Sequence, residues 1–189
     1  MFALEKRDVQ PVETSEDKSR DKMAEIFRSA MVGHFRSHVP GTDINETTLI
    51  ASDYLNHLRK LVKLLESVPS EPQGSADDLL CWRPVSYEEH FTNSDLRDRA
   101  LAIAAYRKAP TSVRALFDET VSCFHAEALA LITEIAAELN DPNKDSRELN
   151  KSCASAARRL RGLLDEASAI ANGEPPSALS RIGALLGIR

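Results

Sequence analysis

ASDYLNHLRKLVKLLESV, residues 51–68, decides the fold. Ala51, Tyr54, Leu58, Leu61, Leu65 and Val68 recur at three- and four-residue steps, with Leu55 and Val62 beside them. That is the 3.6-residue period of an amphipathic helix, and no strand presents it. Asp43 and Glu46 have the spacing of a capping box, which predicts a start between 43 and 47, and Pro69 predicts an end at Val68.

Working outward, the same period recurs on both sides. Upstream, Met23, Phe27, Met31 and His34 predict a helix from Ser15 to His38, stopped by Val39-Pro40-Gly41, with its apolar stripe and His34 and His38 turned toward the bundle. Downstream, residues 69–93 hold three prolines, a glycine and several serines, so an irregular cap segment is expected. It should contain one helical turn from Asp77-Asp78 to Trp82. A second should be started by Ser86 and Glu89 and run through Phe91, with Trp82, Tyr87 and Phe91 pinning the segment down. A third long element should start at Ser94 or Asp95 and break at Pro110. A fourth should run from Thr111 to Leu139, and a fifth from Asp145 to Ala171, where Asn172-Gly173-Glu174-Pro175-Pro176 closes it. No segment alternates like a strand. The expected fold is all-α, an up-and-down bundle of four to five helices with an irregular cap at about 69–93. Residues 1–14 are expected to form a flexible N-terminal arm, 15–171 one helical-bundle domain, and 172–189 a linker and a short C-terminal amphipathic helix.

Composition bounds the function. With 189 residues, 42% of them apolar, the chain is long enough to bury a core without disulfide or metal staples. Cys81, Cys123 and Cys153 stand far apart and form no zinc or dithiol spacing, which together with the lack of a leader-like start or an 18-residue apolar run leads to a cytoplasmic expectation. Cys123 reads as a small core hydrophobe. Net charge of −5 argues against a dedicated nucleic-acid binder. Residues 66–99 carry eight acids and three bases, residues 143–189 eight bases and five acids, so the two regions are suited to meet in the fold or across a homodimer.

Three sets of residues carry candidate chemistry. His34 with His38 and Asp53 with His57 are i, i+4 pairs, and with His125, Glu119 and Glu89-His90 they supply the residue types of a His/carboxylate metal-binding bundle. No Glu-x-x-His repeats on two helices, as a ferritin-like di-iron centre requires. The first metal ligands to test are His34, His38, Asp53 and His57. No cofactor is required by the sequence, and a transition metal is the candidate. His57-Leu58-Arg59-Lys60 resembles the His-x-x-Lys surroundings of histidine phosphotransfer domains, which implies a solvent-facing His57 as phosphoryl acceptor and Lys60 as the neutralising cation. The other reading of His57 is an edge histidine paired with Asp53. The third set is for partners. Arg158, Arg159 and Arg161 form the densest basic cluster, partly neutralised along the helix by Asp165. Leu179, Ile182 and Leu186 have the i, i+3, i+7 spacing of a helix that docks in a groove. No nucleophile elbow, phosphate loop or catalytic carboxylate pair is found, so the expectation leans away from an enzyme, toward a non-enzymatic interaction or regulatory protein with a protein partner, no nucleic acid and no membrane.

Overall fold

The computed structural model describes residues 15–70, 72–140 and 145–174. Within them the chain is all-α, with seven helices and no strand: α1 (Ser15–His38), α2 (Tyr54–Ser67), α3 (Pro72–Cys81), α4 (Tyr87–Thr92), α5 (Arg99–Lys108), α6 (Thr111–Asn140) and α7 (Ser146–Asn172). The expected arm 1–14 and the segment 175–189, with Leu179, Ile182 and Leu186, lie outside the described residues.

The core is built where the period is strictest. Tyr54, Leu55, Leu58, Leu61, Val62 and Leu65 of α2 are buried, and they pack on α7 through Cys153, Ala156, Leu160, Leu164 and Ala167. Small residues on α7 let the two helices approach closely. α6 packs along α7, burying Phe117, Phe124, Ala128, Leu131 and Ile135. α3 and α4 lie on α2, α3 also touches α6, and α5 joins α4 to α1. By length and composition α6 could cross a membrane, having an 18-residue window of mean hydropathy 1.3, contrary to the expectation of no such run. A third of that window is buried, and α6 packs along α7 while Leu129 is 46% exposed.

Two helices start later than the sequence suggested. Residues 43–53 form a stitched loop ahead of α2, because local side chains outcompete the helix for backbone groups. Asn45 Oδ1 accepts from the amides of Thr47 and Thr48 (2.9 Å each), Leu49 takes φ 60°, and Ile44 pairs with Ala51 in an isolated bridge. Asp43 is used by Ser52, whose hydroxyl donates to it at 2.8 Å, and caps nothing. The left-handed Leu49 costs about 1–2 kcal/mol, offset by complete burial of Leu49 and Ile50. Thr48 Oγ1 donates to Ala171 O (2.6 Å) and Asn45 Nδ2 to Asn172 O (3.1 Å), so the loop closes over the end of α7. There Gly173, at φ 75°, ends the helix in the conformation that favours glycine. Likewise α5 starts at Arg99, since Ser94 Oγ donates to Phe91 O at 3.0 Å and finishes α4 instead of capping the next helix.

Other caps follow the sequence. Ser86 is extended and its hydroxyl accepts from Glu89 N at 3.2 Å, starting α4; Asp145 accepts from Arg147 N at 2.8 Å, starting α7. The turn expected from Asp77 begins earlier, as α3 from Pro72.

α1 departs most. Met23 is 67% exposed, Ile26 57% and Phe27 66%, and every described side chain from Ser19 to Ala30 is exposed. Only Val32 and Phe35, near its C-terminus, pack on the core. The helical period was legible, but its stripe does not face this chain's bundle.

Candidate functional site

The densest gathering of polar and aromatic groups lies where α2 meets the 82–91 stretch and α6. Residues 53, 54 and 57 sit on adjacent faces of the first turn of α2. The tight helix α4, capped by Ser86, brings His90 and Tyr87 down onto them. His90 Nε2 donates to Asp53 Oδ2 at 3.0 Å, with both side chains about a quarter exposed. His57 Nε2 lies 3.0 Å from Arg83 O; a carbonyl only accepts, so this nitrogen carries the proton. The His57 ring stacks on Trp82 with centroids 5.2 Å apart at 17°, and lies 6.3 Å from the His90 ring. From α6, His125 also meets Trp82, with ring centroids 6.0 Å apart at 60°.

Tyrosines close the site from beneath. Tyr54 Oη donates to Val85 O (2.8 Å), so in its 3.5 Å contact with His125 Nε2 the phenol oxygen is the acceptor. Tyr87 Oη accepts from Ala51 N at 2.8 Å while its ring stacks on Tyr106, 4.0 Å away. Tyr106 in turn donates to the Asp118 carboxylate. Burial raises the pKa of all three phenols, and a nearby aspartate adds to it. Burial likewise holds His57 and His125 below the usual imidazole value, helped by the His57–His90 and His57–His125 proximities and by Lys60. At neutral pH these two rings are neutral. Trp82, 6% exposed, has an indole N–H that is buried without an acceptor.

Nearly every polar group in this cluster is spent on joining one segment to another: His57 to 83, Tyr54 to 85, Tyr87 to 51, Asp53 to 90. The arrangement orients and fastens. It does not leave the Nε2 of His57 free to take a phosphoryl group, and Lys60 is exposed one turn away.

The four metal candidates are not brought together. His34 and His38 are exposed on α1, ring centroids 4.3 Å apart, with His38 Nδ1 2.8 Å from His34 O. Asp53 serves His90, not His57. Among the described residues no group of three or more His, Cys, Asp and Glu side chains is placed to hold a metal ion. The expected inward turn of His34 and His38 fails because the core-facing side of α1 near its C-terminus is taken by Val32 and Phe35, which leaves both histidines exposed.

The basic cluster is divided between two shallow grooves of about 300 Å³ each. Arg159 lines the one between α6 and α7 and pairs with Glu127; Arg158 and Arg161 line the one between α2 and α7, where Arg161 pairs with Glu66. Arg161 thus bridges to α2 instead of answering Asp165 on its own helix. Cys123 is exposed, not in the core; Cys153 is buried, and burial pushes its thiol up to about 11. Sequence reasoning named every histidine of the cluster but assembled them wrongly, because the partner of Asp53 lies 37 residues on, across an irregular connection.

These features define an all-α bundle with a histidine and aromatic fastening beneath its irregular connection. No protein-family model matches the chain, and no curated protein or solved structure matches it either.

Proposed function

We propose that this is a non-enzymatic, cytosolic interaction protein of the adaptor or regulatory kind, which docks a protein partner on the apolar face of α1. The observation that carries the reading is the exposure of Met23, Ile26 and Phe27 on one face of α1, ahead of the point where its apolar side chains begin to pack on the core. An isolated helix of about 12 residues is marginal in water, since its hydrogen bonds alone do not repay the ordering of the chain. Three large side chains at i, i+3, i+4 spacing present about 400 Å² of apolar surface, in the range of patches that mark binding sites. Burying it stabilises a complex by an order of 10 kcal/mol before the cost of association, which takes back much of that gain. By their spacing in the sequence Leu179, Ile182 and Leu186 belong to the same proposal as a second docking element, and Arg158 and Arg159 of α7 as separate contacts for an acidic partner surface.

Affinity capture tests it. A tagged chain should retain a protein, whether a second copy or a different chain, and should lose it when Met23, Ile26 and Phe27 are all replaced by Ser. Retention that is indifferent to the triple replacement overturns the reading.

A further inference from the structure

The geometry points to a definite occupant for the face of α1: the α1 of a second copy of this chain, packed antiparallel about a two-fold axis between residues 26 and 27. This rests on the docking reading above and names its partner.

The argument begins with the pattern. Met23, Ile26, Phe27 and Ala30 are placed symmetrically about the point midway between 26 and 27, so an antiparallel copy sets Ile26 against Phe27 of the partner subunit and Met23 against Ala30 of the partner subunit. A two-fold interface requires this self-complementarity, since each residue must meet another member of the same patch. Large meets large at the axis and large meets small away from it, which lets the two helices approach. Charge agrees. Residues 15–25 carry four acids and three bases, whereas 26–38 carry Arg28 and Arg36 and no acid. An antiparallel pair lays the half of net charge −1 on the half of net charge +2 and opposes the helix dipoles, whereas a parallel pair lays the +2 half on its own copy. Area agrees as well: two copies of the stripe, with flanking side chains, remove roughly 1,000 Å², the low end of a specific interface. The stripe is also confined. Ahead of Met23 the helix is polar, and from Val32 onward its apolar side chains pack on the chain's own core. A crossing of about three turns fits, and a long coiled coil does not.

An interface at the low end of the specific range is expected to associate weakly, with a dissociation constant on the order of micromolar. Light scattering or sedimentation on the full chain from roughly 1 to 200 µM should therefore follow a rise from monomer to dimer mass. Phe27→Ser should move the midpoint upward at least tenfold while leaving the far-ultraviolet helix signal of the monomer and its melting in place. Orientation is read by single cysteines in a Cys81→Ser, Cys123→Ser background. Ile26→Cys should form a covalent dimer under oxidation. Met23→Cys should not do so alone, because its twin lies about 10 Å along the axis, but it should cross-link when mixed with Ala30→Cys. Efficient cross-linking of Met23→Cys alone would overturn the antiparallel arrangement. A wild-type chain that is monomeric throughout overturns the dimer; if that monomer still captures a different protein through α1, the docking reading survives, and if it captures none, both fail.

Discussion

α1 and the segment from Ala51 to Phe91 are the two most contrasting regions of this molecule. Both are rich in histidines and aromatics at regular spacing. In the second, each such residue meets another: Tyr87 binds the Ala51 amide, His90 binds Asp53, His57 stacks on Trp82, and Phe91 is 2% exposed. In the first, His34 and His38 meet only each other and their own helix, and Phe27 stands in solvent. The difference teaches that residue type and period define a face, whereas only the tertiary neighbour decides whether that face is fastening or surface.

Stability measurements break or sharpen that contrast, the largest effect first. Phe91→Ala should cost about 3–5 kcal/mol in denaturant unfolding, whereas Phe27→Ala should change monomer stability by no more than about 0.5 kcal/mol. Equal costs would mean that α1 is buried against its own chain. Tyr87→Phe keeps the ring and removes only the oxygen that accepts from Ala51 N; with that amide left buried and unpaired, the loss should be about 1–3 kcal/mol. Gly173→Ala places a Cβ 3.5 Å from Thr48 Cγ2 with no clash, so its cost is that of the φ 75° backbone alone, about 1 kcal/mol in a thermal melt.

The smallest effect is a pH slope. Because burial lowers the pKa of His57 and His125, the folded chain binds fewer protons than the unfolded one once pH drops below the ordinary imidazole value. Stability is full above about pH 6.5 and declines as pH falls through that value toward the folded pKa of each ring. His57→Gln with His125→Gln should flatten the slope, read by urea midpoints between pH 7.5 and about 5. Trp82, the single tryptophan, stacks on His57 and should report the same protonation in its emission.

The strict period of 54–67 made α2 legible, and the same is true of α6 and α7, where Leu149, Cys153, Ala156, Leu160 and Leu164 are buried as their spacing requires. Capping chemistry was legible at Ser86 for the same local reason. The start of α2 was not, because Asn45 and Thr48 can serve a turn as well as a helix, and the choice depends on Ala171 and Asn172, more than 120 residues away. The histidine cluster was half legible: its members were visible as residues, but their pairing needs the path of the 69–98 connection. The stripe of α1 was read correctly as a face and wrongly as an inward one. Nothing within a single helix distinguishes an apolar side that meets its own core from one that waits for another chain.

Hydrogen exchange followed by mass spectrometry at several protein concentrations tests the central claim most directly. Amides of residues 19–31 should exchange quickly in dilute protein and gain protection as concentration rises or a partner is added, while those of 54–67 stay protected throughout. Strong protection of 19–31 at every concentration would contradict the account, since it would place the apolar face of α1 against its own chain.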